Sequence, residues 1–119
     1  MTAKPFLKWV GGKRQLLADI VPLVPSEFSR YIEPFVGGGA VFFHLSEQIT
    51  AQQIPSVIND INPELVNCYQ MVKTQTDDLI SLLKTHKHDK NYYLEIRNLD
   101  RQEGGLSVLS PLERASRFI

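Results

Sequence analysis

Cysteine is nearly absent from this sequence: Cys68 stands alone in 119 residues. One thiol makes no internal disulfide, and no cluster of cysteines and histidines with zinc-ligand spacing surrounds it. A charge excess of either sign is missing too. Thirteen Lys and Arg balance thirteen Asp and Glu, so the total charge carries no histone-like or polybasic mode of nucleic-acid binding, although a locally basic groove is compatible with it. No apolar run approaches the roughly 20 residues of a membrane helix. The N-terminus is basic and interrupted by Pro5 and Gly11-Gly12, with no apolar stretch of the secretory kind. The expected compartment is the cytoplasm, with no membrane and no metal as partner. The length suits one small domain, since domains cluster at about 100–150 residues. A composition of 43% hydrophobic and 22% charged residues is that of a globular chain rather than a disordered one.

What is present has a clear order. Lys4, Lys8, Lys13 and Arg14 all precede the first acid, Asp19. Residues 14–21 place Leu16, Leu17 and Ile20 at helical spacing and predict a short amphipathic helix, ended by Pro22 and Pro25. Residues 30–36 form a β-rich run that stops at Gly37-Gly38-Gly39, and residues 40–48 read as a buried helix. Residues 56–60 are a second short strand ending in Asn59-Asp60. Asn62 is a good N-cap, and Pro63 suits the first helical position. Leu65, Cys68, Tyr69 and Val72 continue as a helical stripe. Further helices are predicted over 76–85 and over 92–99, the latter with Tyr92, Tyr93, Ile96 and Leu99 as its apolar face. Residues 101–109 read as a loop. Ser110-Pro111-Leu112-Glu113 is a capping box, and Ala115, Phe118 and Ile119 begin the stripe of the helix it opens.

The predicted class is α/β, with an incomplete parallel sheet and flanking helices. Because the sequence stops soon after a well-made helix start, it is expected to be the N-terminal piece of a longer protein. An open sheet edge predicts poor stability or aggregation in isolation.

The chemistry concentrates at Glu33-Pro34-Phe35-Val36-Gly37-Gly38-Gly39-Ala40. A strand that turns into a helix through glycines aims the helix's N–H groups at the turn and lets a ligand lie against the backbone. In open α/β sheets, ligands sit outside the carboxyl ends of the strands. The plainer reading is a tight turn that needs only positive φ. Three glycines after an acid and a proline favour the ligand. Asp60 lies about twenty residues past Gly39, where an acid reaches ribose hydroxyls in nucleotide-binding βαβ units. Its alternative role is to cap the next helix, but Asn62 already does so.

A dinucleotide fingerprint needs a third glycine where Phe42 stands. Glu33 would repel a pyrophosphate but suits a cationic amino-acid end. S-adenosylmethionine has both parts: a ribose with free hydroxyls and a positively charged methionine moiety. Trp9 offers an apolar plane, and Lys13 offers a cation for a carboxylate. On composition alone, a packed Trp9 and a surface Lys13 are the plainer reading. His86 and His88 read as a solvated helix end rather than a metal site. His44 reads as a core or edge histidine, and Cys68 as an inert core thiol.

These residues resemble a known family. Lys4-Pro5-Phe6-Leu7-Lys8-Trp9-Val10-Gly11-Gly12-Lys13 is similar to the N-terminal signature of the adenine-specific DNA methyltransferases of the Dam-like (D12) class. Glu33-Pro34-Phe35-Val36-Gly37-Gly38-Gly39 resembles their cofactor loop. Ile58-Asn59-Asp60-Ile61-Asn62 resembles their acid-bearing strand end, and Arg114-Ala115-Ser116-Arg117-Phe118-Ile119 the start of a later helix. The resemblance implies the N-terminal part of a Rossmann-like methyltransferase fold. It also implies transfer of a methyl group from S-adenosylmethionine to N6 of adenine in double-stranded DNA.

On matching positions, the resemblance puts Trp9 and Lys13 at the cofactor, with Lys13 near its carboxylate. The backbone from Phe35 through Gly37 to Gly39 would wrap the methionine and ribose. Asp60 would hold the ribose hydroxyls, and Ile61 would pack near the adenine. The family's catalytic Asp-Pro-Pro-Tyr motif has no counterpart among the 119 residues. The chain is therefore expected to be the cofactor-binding part, with a target-recognition region beginning after about residue 75, and to be inactive alone. The alternatives are a non-catalytic S-adenosylmethionine-binding or interaction module, and half of a nicotinamide-dependent oxidoreductase.

Overall fold

The computed structural model describes residues 2–119. The chain divides after Ile61 into two compact units.

In the first unit the expected amphipathic helix is broken into pieces. A 3-10 turn at Lys13–Leu16 leads into the single α-turn α1 (Leu17–Ile20), and a second 3-10 turn follows at Val21–Leu23. No side chain caps any of the three. Pro22 has no N–H to extend the ladder, so the cost of helix nucleation is not recovered.

Strand β1 is Tyr31–Glu33, shorter than the β-rich run, because Pro34 cannot donate to a partner strand. Helix α2 (Ala40–Ala51) runs beyond the predicted residue 48. It closes in a Schellman motif, with Gln53 at φ +52°, Gln53 N–H donating to Thr50 O (3.1 Å) and Ile54 N–H to Ile49 O (2.9 Å). Strand β2 (Ser56–Ile58) then lies parallel to β1, pairing Tyr31 with Ser56, Ile32 with Val57 and Glu33 with Ile58.

Val41, Leu45, Ile49 and Ile54 form the core of this unit. Leu17, Ile20, Val24, Phe28, Tyr31 and Phe42 pack against it. Strand residues alternate faces, and the alternation is visible here. Tyr31 turns into the core, while the register partners Ile32 and Val57 stand 61% and 57% exposed.

The second unit is helical. Asn62 caps α3 (Pro63–Thr74) by accepting from Glu64 N–H at 3.0 Å and Leu65 N–H at 3.3 Å. Leu65 and Cys68 of the predicted stripe are fully buried, and Met71 completes it. Helix α4 (Thr76–Leu83) follows, and α5 (Lys90–Arg97) starts two residues before its predicted position, because Asp89 caps it. The predicted loop holds a short 3-10 turn, Gly105–Val108.

Both halves of the Ser110/Glu113 capping box form at the start of α6 (Pro111–Phe118). Arg114 of α6 makes a two-pronged ion pair with Glu64 of α3. Tyr93, assigned to the apolar face of α5, is 60% exposed instead.

His86 is not a solvated helix end. Its Nδ1 meets the Tyr92 hydroxyl at 2.8 Å and its Nε2 meets buried Ser116 Oγ at 2.6 Å, joining α5 and α6. Among the described residues, no helix is long and apolar enough to cross a membrane, and no group of three acids, histidines or cysteines could hold a metal ion.

Burial pushes the Cys68 thiol up to about 11, so the reactive thiolate is scarce at neutral pH. Alkylation of Cys68 by iodoacetamide at pH 8 should run about a hundredfold slower in the folded chain than in denaturant, as followed by mass spectrometry. Removing the cap with Ser110→Ala should cost about 1 kcal/mol of stability, read from a urea unfolding curve.

Candidate functional site

The glycine run after β1 is set by its neighbours. Gly37 and Gly39 take positive φ, +52° and +82°, values that residues with a Cβ rarely adopt. Space is short as well. A Cβ on Gly37 would lie 3.1 Å from Trp9 Cδ1, and one on Gly38 would lie 3.1 Å from Trp9 Cβ. Half-buried Trp9 therefore lies directly on the turn. The indole neither disappears into the core nor stands free.

Two hydrogen bonds carry the turn across to the end of β2. Val36 N–H donates to Asn59 O at 2.9 Å, and Gly37 N–H donates to Asp60 Oδ2 at 3.0 Å. Gly39 N–H then turns back to Val36 O at 2.9 Å, and α2 begins.

Asp60, expected to be spared for a ligand once Asn62 had taken the capping role, already holds the glycine turn. This bond fixes the direction of the acid.

Lys13 shows a second difference. Its ammonium donates to Glu33 Oε1 at 2.9 Å and to the Phe35 carbonyl at 2.6 Å. The chain's own acid and a backbone carbonyl thus take two of the three donors of the ammonium expected to face a ligand's carboxylate. Glu33 is only 7% exposed, and its second oxygen accepts the Tyr31 hydroxyl at 2.5 Å. Burial, then the hydrogen bond to Glu33 and its negative charge, hold the Tyr31 phenol well above its ordinary range, so it remains a donor.

The structure thus brings Trp9, Lys13, Gly37, Gly39 and Asp60 around one strand-to-helix turn. Phe35 and Ile61 flank it, 69% and 91% exposed. Glu33 and Tyr31 join the same cluster. The acid was legible as an oddity before a glycine loop. The tyrosine, two residues earlier on the same strand face, was not singled out.

The cluster offers two opposite charges, an acid at a strand end and apolar surfaces beside a polar turn. It is equipped to bind. An open groove of about 830 Å³ lies beside it rather than over it. Lys4, Phe6, Arg14, Phe43 and His44 line that groove, and of the seven nominated residues only Trp9 does. His44 is exposed on α2, not part of the core.

The chain is similar to known proteins along nearly its whole length. The family model described as D12 class N6 adenine-specific DNA methyltransferase matches residues 9–119. The type II methyltransferase M1.LlaDCHI of Lactococcus lactis is 46% identical over 118 residues, which is 98% of this chain and 39% of that protein. The type II methyltransferase M.MjaIII of Methanocaldococcus jannaschii is 39% identical over 112 residues, 82% of this chain and 38% of the relative. A DNA adenine methylase of Haemophilus influenzae is 40% identical over 77 residues, 65% of this chain and 25% of its own length. The chain thus spans less than half the length of these relatives. Turn, acid and helix order all fall within the matched region, and the chain belongs to the D12 class of N6 adenine-specific DNA methyltransferases.

Proposed function

We propose that this chain is the cofactor-binding part of an enzyme that transfers a methyl group from S-adenosylmethionine to N6 of adenine in double-stranded DNA. The observation that carries the reading is the 3.0 Å bond from Gly37 N–H to Asp60. It puts the glycine turn and the strand-end acid, nearly a βαβ unit apart in sequence, at one place.

The residues fit such a cofactor. Asp60 would hold the ribose diol. The Lys13–Glu33 pair presents a cation and an anion to the carboxylate and ammonium of the methionine end. Trp9, Phe35 and Ile61 supply apolar surface for the nucleoside, and the backbone of Gly37 and Gly39 admits close approach. When bound, the cofactor supplies an activated methyl group on its sulfonium.

Double-stranded DNA is the proposed partner. The acid-free arm with Lys4, Lys8 and Arg14 gives phosphates a local attraction that the neutral total charge conceals. The target adenine must leave the stack to reach the methyl group, and positioning supplies most of the rate gain. Residues after about 75 are assigned to the beginning of the target-recognition region. The names of the relatives support the reaction class, since two are called type II methyltransferases and one a DNA adenine methylase.

Titration calorimetry tests the reading. S-adenosylmethionine should give binding heat and NAD none; heat with NAD alone would favour an oxidoreductase half. Asp60→Ala should weaken S-adenosylmethionine by about 1.5–3 kcal/mol, the range for hydrogen bonds to a charged group. Unchanged affinity would remove Asp60 from the site. Lacking Asp-Pro-Pro, the 119-residue chain should bind the cofactor yet transfer no labelled methyl to DNA. Robust transfer would overturn the assignment of this chain as a binding part only.

A further inference from the structure

The Tyr31–Glu33–Lys13 relay lies at the edge of the turn, and its first member has no role in the reading above. Tyr31 and Glu33 sit two residues apart on β1, so their side chains share a face. The Tyr31 ring is wedged between Phe28 and Phe42, with ring centroids 6.4 Å and 6.0 Å away. Its hydroxyl ends 2.5 Å from Glu33 Oε2, while Glu33 Oε1 meets Lys13 Nζ at 2.9 Å and that nitrogen meets the Phe35 carbonyl at 2.6 Å.

A buried carboxylate bound through one oxygen can pivot about its last torsion, which is broad and roughly two-fold. Bound through both oxygens, with one donor fixed in an aromatic stack, it has one orientation. The orientation of Glu33 in turn sets where the Lys13 ammonium stands above the turn.

We infer that Tyr31 is a positioning residue for the amino-acid end of the cofactor: through Glu33 it aims the Lys13 ammonium and the Glu33 carboxylate at a ligand carrying both an α-ammonium and a carboxylate. This rests on the binding role proposed for Lys13 and Glu33. It adds that the strand, not only the loop, selects for the methionine tail. The nucleoside end, served by Asp60 and the apolar surfaces, is independent of Tyr31.

Two ligands separate the ends. S-adenosylmethionine carries the amino-acid tail; 5′-methylthioadenosine has the same nucleoside without it. In calorimetry on the full chain, Tyr31→Phe keeps the stacked ring and removes only the hydroxyl. It should weaken S-adenosylmethionine about five- to tenfold, as expected for one lost hydrogen bond to a charged group acting at second hand, and leave methylthioadenosine within twofold. In a Glu33→Gln background, Tyr31→Phe should add nothing further, since the hydroxyl acts through that acid.

Equal weakening of both ligands marks a merely structural tyrosine and overturns the inference, as does no change in either. Should Tyr31→Phe not fold, 3-fluorotyrosine at position 31 keeps the hydroxyl as a stronger donor. It should shift the affinity of S-adenosylmethionine alone, and a shared or absent shift overturns the inference equally. If the unmodified chain binds methylthioadenosine and S-adenosylmethionine with equal affinity, the tail has no seat at all. The binding role of Lys13 and Glu33 then falls first, and the role of Tyr31 with it.

Discussion

The bond between Gly37 N–H and the Asp60 carboxylate ties the end of one parallel strand to the end of the next. Backbone pairing alone brings the strands together as far as Val36 and Asn59. Beyond that point the chain diverges, into a helix on one side and a loop on the other. A side-chain acceptor therefore continues the ladder where backbone acceptors have run out. The residue types follow. The donor must be on a backbone free to take positive φ and to pass under an indole, which is a glycine. The acceptor must be short and charged, which is an aspartate.

Against this tie the second feature of the unit makes sense. Trp9 lies so close over Gly37 and Gly38 that a Cβ added at either would come within 3.1 Å of it. Lys13, four residues later, reaches back to Glu33 and to the Phe35 carbonyl. The N-terminal arm is thus fastened to the turn at two points, one apolar and one charged. Burial of Glu33 would be costly for a lone carboxylate. The Tyr31 hydroxyl and the Lys13 ammonium satisfy both of its oxygens.

Much of this was legible in the sequence, and the reasons are local. Asn62-Pro63 and Ser110-Pro111-Leu112-Glu113 announce helix starts through side chains that bond the nearest N–H groups, and both caps form as read. The strand–glycine–helix order was legible because Pro34 and three glycines punctuate it. Endings were harder. Helix α2 outran its predicted limit because Gln53, not a glycine, takes the left-handed closing position. The first helix fragmented because Pro22 and the lack of a capping side chain outweighed its leucine spacing.

Within the candidate site, the members were legible and their partners were not. Lys13 and Glu33 were singled out separately, each for an outside charge, and they bond each other. The bond from His86 to Ser116 spans 30 positions, and no periodicity or spacing rule reaches so far. Tertiary pairing of polar groups is decided by packing, and the packing is specified by residues that carry no polar signal.

The parallel register has a consequence for how the molecule assembles. Antiparallel strands can zip from a tight hairpin, but the whole of α2 lies in the chain between Tyr31 and Ser56. The entropy of closing so long a loop must be met before the first strand bond forms. The glycine turn and its aspartate become neighbours only when that loop, α2 included, is closed.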